Sequence, residues 1–271
     1  MKRFHRLLIR GLSIGLVLAG GSVQAQPQPP PSKIPTAVII DWSYYNNMAW
    51  MAFNRGDYPI AEHRFNAAID AVKPYQAVSN RLLLRSYHDL SRVLYVQKRY
   101  AEAEPLAKWV VDVRRKDAGL KPDVLFDSLY LLAQIHREQH HDAQAEALFY
   151  EAMQVEEKAV GPNNLSLAST LDDLSAVEFR QEKYNRAELH LRRALTIRRK
   201  TGGTLDPDYA DTLERYAKAL DQLDRGAEAR EAEEAVAQIR ADLRSAAEQA
   251  LTAGTRTPFG RRDEGLTPAV P

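Results

Sequence analysis

The chain has 271 residues, 45% hydrophobic and 27% charged, the balance of an ordinary soluble globular protein. With 37 Lys+Arg against 36 Asp+Glu its formal charge is +1, so no basic field is offered to nucleic acid or to an acidic lipid surface. It contains no cysteine, which excludes disulfides, thiolate metal sites and cysteine nucleophiles.

Residues 1–25 read as a secretory signal peptide. Met1 to Arg10 is a basic start, Gly11 to Gly20 an apolar run, and Ser22-Val23-Gln24-Ala25 puts small or apolar residues where a signal peptidase reads. Cleavage is expected after Ala25. The apolar run is short for a membrane span, and an uncleaved anchor is the alternative; it would be the chain's one membrane contact. Four of the 37 bases lie in this leader, so its removal leaves 33 against 36 acids, a formal charge of −3. The expected location is the bacterial periplasm.

Residues 26–41 are expected to be a linker, since Gln26 to Pro35 contains five prolines. Helical periodicity then predicts ten helices over 43–55, 58–72, 80–97, 100–116, 124–139, 142–158, 166–181, 184–200, 208–223 and 226–252. Pro59 suits the first turn of a helix, and Pro105 lies deeper, where a bend is expected. From Ala227 to Ala253 there is no Gly or Pro, so one long helix should cap the 42–253 domain. Residues 254–271, with three glycines and three prolines, are expected to be disordered.

The helices repeat. Ala61, Ala103, Ala145, Ala187 and Ala229 stand 42 residues apart, and Glu62, Glu104, Glu146 and Glu188 follow the first four. Ala68, Val110, Ala152, Ala194 and Val236 form a second column, and Ala49, Ser91, Ala133, Ser175 and Ala217 a third. Small residues at a fixed period mark an array of helix pairs, each too small to bury its own apolar stripe. Short side chains let two helices approach closely.

This pattern resembles the tetratricopeptide repeat, with Tyr58, Tyr100 and Tyr184 at that motif's tyrosine and Asp142 and Gly226 departing from it. The 42-residue period, together with Val160-Gly161-Pro162-Asn163-Asn164-Leu165 and Asp206-Pro207-Asp208-Tyr209, is similar to the kinesin-light-chain type. The resemblance implies an all-α fold, a right-handed superhelical array of antiparallel helix pairs with about five repeats. It also implies that the first helix of each pair lines a concave groove. The residues so placed are Asn46, Asn47, Trp50 and Phe53; Arg85, His88, Asp89, Arg92 and Tyr95; Tyr130, Gln134 and Arg137; Asp172, Asp173 and Phe179; and Glu214, Arg215 and Lys218. Asn46 stands where carboxylate-clamping members carry Lys, so binding of a chaperone tail is not expected.

Catalytic signals are weak. His136 and His140 are four apart, but Arg137 stands where the zinc-protease motif needs Glu, and no third ligand is evident; a His-rich surface turn is expected. Asp172 and Asp173 are expected on a solvated, groove-facing surface, and Arg198-Arg199-Lys200 at a solvated helix end suited to the helix dipole. No catalytic residue, metal or cofactor is expected. The preferred function is an exported scaffold that binds a protein or peptide segment in the groove. The alternatives are a self-assembling structural array and, less favoured, a metal-dependent enzyme built on His136 and His140.

Overall fold

The structure, a computed structural model, describes residues 33–254. The leader, residues 26–32 of the linker and the tail beyond Gly254 therefore lie outside the described residues. Within them are ten helices and no strand. They are α1 (Thr36–Asn54), α2 (Tyr58–Val72), α3 (Gln76–Val96), α4 (Tyr100–Arg114), α5 (Pro122–Glu138), α6 (Asp142–Val160), α7 (Leu165–Arg180), α8 (Tyr184–Thr201), α9 (Pro207–Asp221) and α10 (Gly226–Gly254). A short 3-10 turn, Lys73–Tyr75, joins α2 to α3. The first helix begins at Thr36, inside the stretch read as linker, because Pro35 ends the extended chain and serves as the N-cap. Pro105 is accommodated within α4, which continues to Arg114.

Each helix packs on the next in sequence, as a solenoid requires. Odd and even helices form separate layers. Trp42 of α1 donates to Ser86 of α3 at 2.8 Å, Arg137 of α5 to Asp173 of α7 at 2.6 Å, and Thr212 of α9 to Asp172 of α7 at 3.0 Å. In the other layer, Arg193 of α8 reaches Glu157 of α6 at 2.8 Å.

The three small-residue columns lie at the helix contacts. Ala61, Ala103, Ala145 and Ala187 are fully buried, as are Ala49, Ser91 and Ala133, and Val236 is the most exposed member at 6%. Large side chains fill the space between the columns: Phe65, Phe149, Leu129, Ile135, Leu171, Leu174 and Leu191. The last pair closes on Leu195, Leu213, Ala217, Ala232 and Val236. Arg240 then ties α10 to α9 through Asp211 and Glu214, at 2.9 and 2.7 Å.

A fourth column comes from backbone conformation. Gly56, Lys98, His140, Glu182 and Asp224, again 42 apart, all have positive φ, between 57° and 81°. Each ends a first helix, and the next residue's amide donates back five positions: Asp57 to Ala52, Arg99 to Leu94, His141 to His136, Lys183 to Glu178 and Arg225 to Leu220. This left-handed closure satisfies the carbonyls that a helix end leaves open. Four of the five turns are made by side-chain-bearing residues, each at a cost of about 1–2 kcal/mol.

At three of these turns the following residue also makes a cross-repeat ion pair. Arg99 pairs with Glu62 at 2.6 Å, Lys183 with Glu146 at 2.5 Å, and Arg225 with Glu188 at 3.4 Å. These are partly exposed pairs, screened by solvent and individually weak. They recur as a ladder from one pair to the next. In the corresponding rung between the second and third pairs, the residues are Glu104 and His141.

Candidate functional site: the face of the first helices

The face formed by α1, α3, α5, α7 and α9 begins with a stack of rings. Trp50 packs edge-on against Phe53 and Phe65, with centroids 5.2 and 5.6 Å apart. Arg92, one repeat on in the same register, lays its guanidinium over the Trp50 ring, 5.1 Å from its centroid. A cation over an indole face is held by the ring quadrupole. Arg92 is exposed and makes no ion pair among the described residues. Arg85 sits similarly over Trp42, at 5.7 Å, and lies 3.9 Å from Asp89. Asn47 is exposed on the same face.

Beneath these groups, Trp50 Nε1 donates to Asp89 at 3.3 Å. Burial pushes the Asp89 carboxyl up to about 6, against the opposing pull of Arg85 and Trp50. His88 is driven the other way, down to about 3, by burial and by the nearby Arg114 and Arg92 charges. His88, Asp89, Asn46 and Asp172 were expected to line the groove, but all are buried. Each lies on the side of its helix that neighbouring helices cover. Asp172 points to Arg198 and Thr212, so it is not on a solvated face, and Arg198, 4% exposed, is not part of a solvated helix end.

The centre of the face is internally neutralised. Asp173 accepts hydrogen bonds from Tyr130 and from Arg137, the latter at 2.6 Å. Burial, then the Asp173 charge, raises the Tyr130 phenol above its ordinary range. Tyr95 packs against Tyr100 at 5.6 Å, and Gln134 is half-buried.

At the far end a cavity of about 170 Å³ opens between α7, α8 and α9. Ser175, Ala176, Phe179 and Leu191 give it an apolar interior, and Arg215 and Lys218 stand at it. Phe179 is fixed edge-on against Tyr184, at 5.1 Å. Lys218 is paired with Glu214 at 2.7 Å, whereas Arg215 has no ion pair among the described residues. Ala176 and Lys218 continue the register of Trp50, Arg92 and Gln134. First-helix register could not reveal Leu191, because it comes from the second helix α8.

The histidine cluster also differs from expectation. The structure brings His141, not His140, to His136, with Nδ1 atoms 3.4 Å apart. The left-handed turn at His140 reverses the chain and leaves His140 exposed. His136 is buried, so the cluster is not a surface turn throughout.

These features define an α-solenoid of five helix pairs whose first-helix layer carries cations beside apolar surface. The chain belongs to the tetratricopeptide repeat family, whose model matches residues 42–116 and 125–200. No curated protein matches it in sequence. Among solved structures, a protein from Podosopora anserina described as a kinesin light chain with nearly identical TPR-like repeats is 18% identical. It aligns over 78% of this chain and 99% of its own, with a TM-score of 0.67. BtubC (BKLC) from P. vanneervenii is also 18% identical, over 88% of this chain and 100% of its own, with a TM-score of 0.64. YrrB, a TPR protein with an unusual peptide-binding site, is 14% identical over 76% and 90%, with a TM-score of 0.54. At these identities the likeness shows the fold. No described helix is long and apolar enough to cross a membrane.

Proposed function

We propose that this chain is a non-enzymatic protein-interaction scaffold that holds an extended segment of a partner along the concave, first-helix face, and that it acts in the periplasm after export. The observation that carries the reading is the exposed guanidinium of Arg92 held over Trp50. A guanidinium fork takes a carboxylate through two parallel hydrogen bonds, and its indole bed leaves it less mobile to begin with. The apolar cavity at Phe179 with Arg215 beside it offers a second anchor of the same chemistry. An acidic segment with apolar side chains fits both ends. The peptide-binding site of YrrB, a protein of the same fold, supports this reading, and the basic leader followed by an apolar run supports export.

The test is capture from envelope extract with the mature chain as bait. Arg92→Ala should weaken recovery of the captured partner by more than about 1 kcal/mol, roughly fivefold or more, while Arg199→Ala on the exposed end of α8 leaves it unchanged. Equal capture by both variants and the parent would sink the groove reading. Intact mass of the protein from the same fraction should start at Gln26, and a mass that includes Met1 would overturn the cleavage.

A further inference from the structure

The ladder of cross-repeat contacts changes chemistry at one rung. Where Arg99, Lys183 and Arg225 face Glu62, Glu146 and Glu188, His141 stands in register with Glu104. A second imidazole appears at the same rung: His136 occupies a register position held elsewhere by Ala52, Leu94, Glu178 and Leu220.

The geometry of the two rings is specific. His136 lies in the last turn of α5 and is 8% exposed. His140 takes φ +60°, and the His141 amide donates to the His136 carbonyl at 2.9 Å. This places the rings 5.6 Å apart at 48°, with the two Nδ1 atoms facing each other at 3.4 Å. That is long for a hydrogen bond between ring nitrogens. Two imidazole nitrogens bound to one tetrahedral zinc ion, each about 2.0–2.1 Å from it, stand about 3.3 Å apart. The pair is therefore already spaced as two ligands of one ion.

A carboxylate oxygen of Glu104, on α4, and one ring nitrogen of each of His136 and His141 all lie within 4.8 Å of one another. Glu104 has no ion pair among the described residues, so its carboxylate is free to turn towards a shared ion by a rotamer change. The nearby cation Lys108 is engaged by Asp112 at 2.8 Å.

We propose that Glu104, His136 and His141 form a site for one divalent transition-metal ion of the zinc class, with a solvent molecule in the fourth position beside exposed His141. Two imidazoles and one carboxylate suit zinc and its neighbours rather than calcium or magnesium, which take oxygen ligands. The ion ties α4 of the second pair to the α5–α6 turn of the third, replacing the direct ion pair used at the other rungs.

The experiment uses the untagged chain, titrated with ZnCl2 at pH 7.5 by calorimetry and with CoCl2 by visible absorption. One ion per chain is expected to bind, with tetrahedral cobalt bands and a raised melting temperature that MgCl2 does not reproduce. His141→Ala and Glu104→Gln should each weaken zinc binding at least about tenfold while the metal-free helical signal is retained. His140→Ala and His63→Ala should leave binding unchanged. Absence of saturable binding to the parent overturns the proposal, and so does equal weakening by His140→Ala, which would mark adventitious surface binding. No metal binding combined with stability that rises as pH falls, and is preserved in His141→Arg, would assign the rung instead to a protonated histidine–glutamate pair.

Discussion

Asp172 of α7 and Arg198 of α8 meet at 2.8 Å with only 10% and 5% of their side chains exposed. Thr212 of α9 donates to the same carboxylate oxygen at 3.0 Å, and Arg198 also reaches Asp208 at 3.2 Å. Three helices from two successive pairs are thus joined at one carboxylate. Burial raises the Asp172 carboxyl above its ordinary range, and the Arg198 bond opposes that rise.

Removing Arg198 leaves that carboxylate desolvated without its counter-charge. Breaking a buried pair from one side typically costs about 3–5 kcal/mol. Arg198→Ala should therefore lower stability by about that much in urea denaturation, whereas Arg199→Ala, one residue further on, should change it by less than about 0.5 kcal/mol. Matching denaturation curves for the two variants would mean that the pair does not hold α7, α8 and α9 together.

His88 and Asp89 give opposite pH dependences from adjacent positions. The His88 imidazole is held down at about 3, so below about pH 6.5 the unfolded chain takes up a proton that the folded chain refuses. Its contribution is fully present above that pH and is lost as pH falls towards 3. The Asp89 carboxyl is held up at about 6, so its contribution falls as pH rises from about 4 to about 6. Each slope approaches about 1.4 kcal/mol per pH unit where it is steepest. His88→Gln should consequently gain stability relative to the parent on acidification from pH 6.5 to 4, and Asp89→Asn should gain as pH rises from 4 to 6. Denaturation midpoints of parent and variants that run parallel across pH 4–7 would contradict both assignments.

Ala145 lies at a closed helix contact, with no exposure. Ala145→Leu adds three carbons where the α5–α6 pair has no room, and overpacking costs about 1–3 kcal/mol. Thermal melting should shift down while the helical signal at low temperature is kept. An unchanged melting temperature would show that the helices can separate at this column without loss.

Short-range pattern carried the architecture. A helix is set by neighbours three and four residues away, so the apolar stripes and the 42-residue columns of small residues placed ten helices within a few residues of their ends. The main boundary difference, Thr36 in place of 43, arises because α1 extends past its packed stretch to the proline that stops it. The five left-handed turns escaped notice because a backbone conformation can be met by Gly, Lys, His, Glu or Asp, which share no chemical pattern.

The 42-residue register is enough to define the repeat, the helix pairing and the placement of Arg92 beside Trp50, since stacking similar units leaves little choice of neighbour. Which charges are buried and which are free emerges only when the pairs are packed together. Asp172 and Asp173 are adjacent in sequence, yet one closes a buried pair with Arg198 and the other joins Arg137 across the face. Glu104 meets His136 and His141 from another repeat, and Leu191 enters the Phe179 cavity from a second helix. Those partners lie 12 to 37 residues apart in sequence, and most of the approaches depend on the stagger of one pair on the next. That stagger is fixed by the summed packing of many side chains, and no local spacing records it.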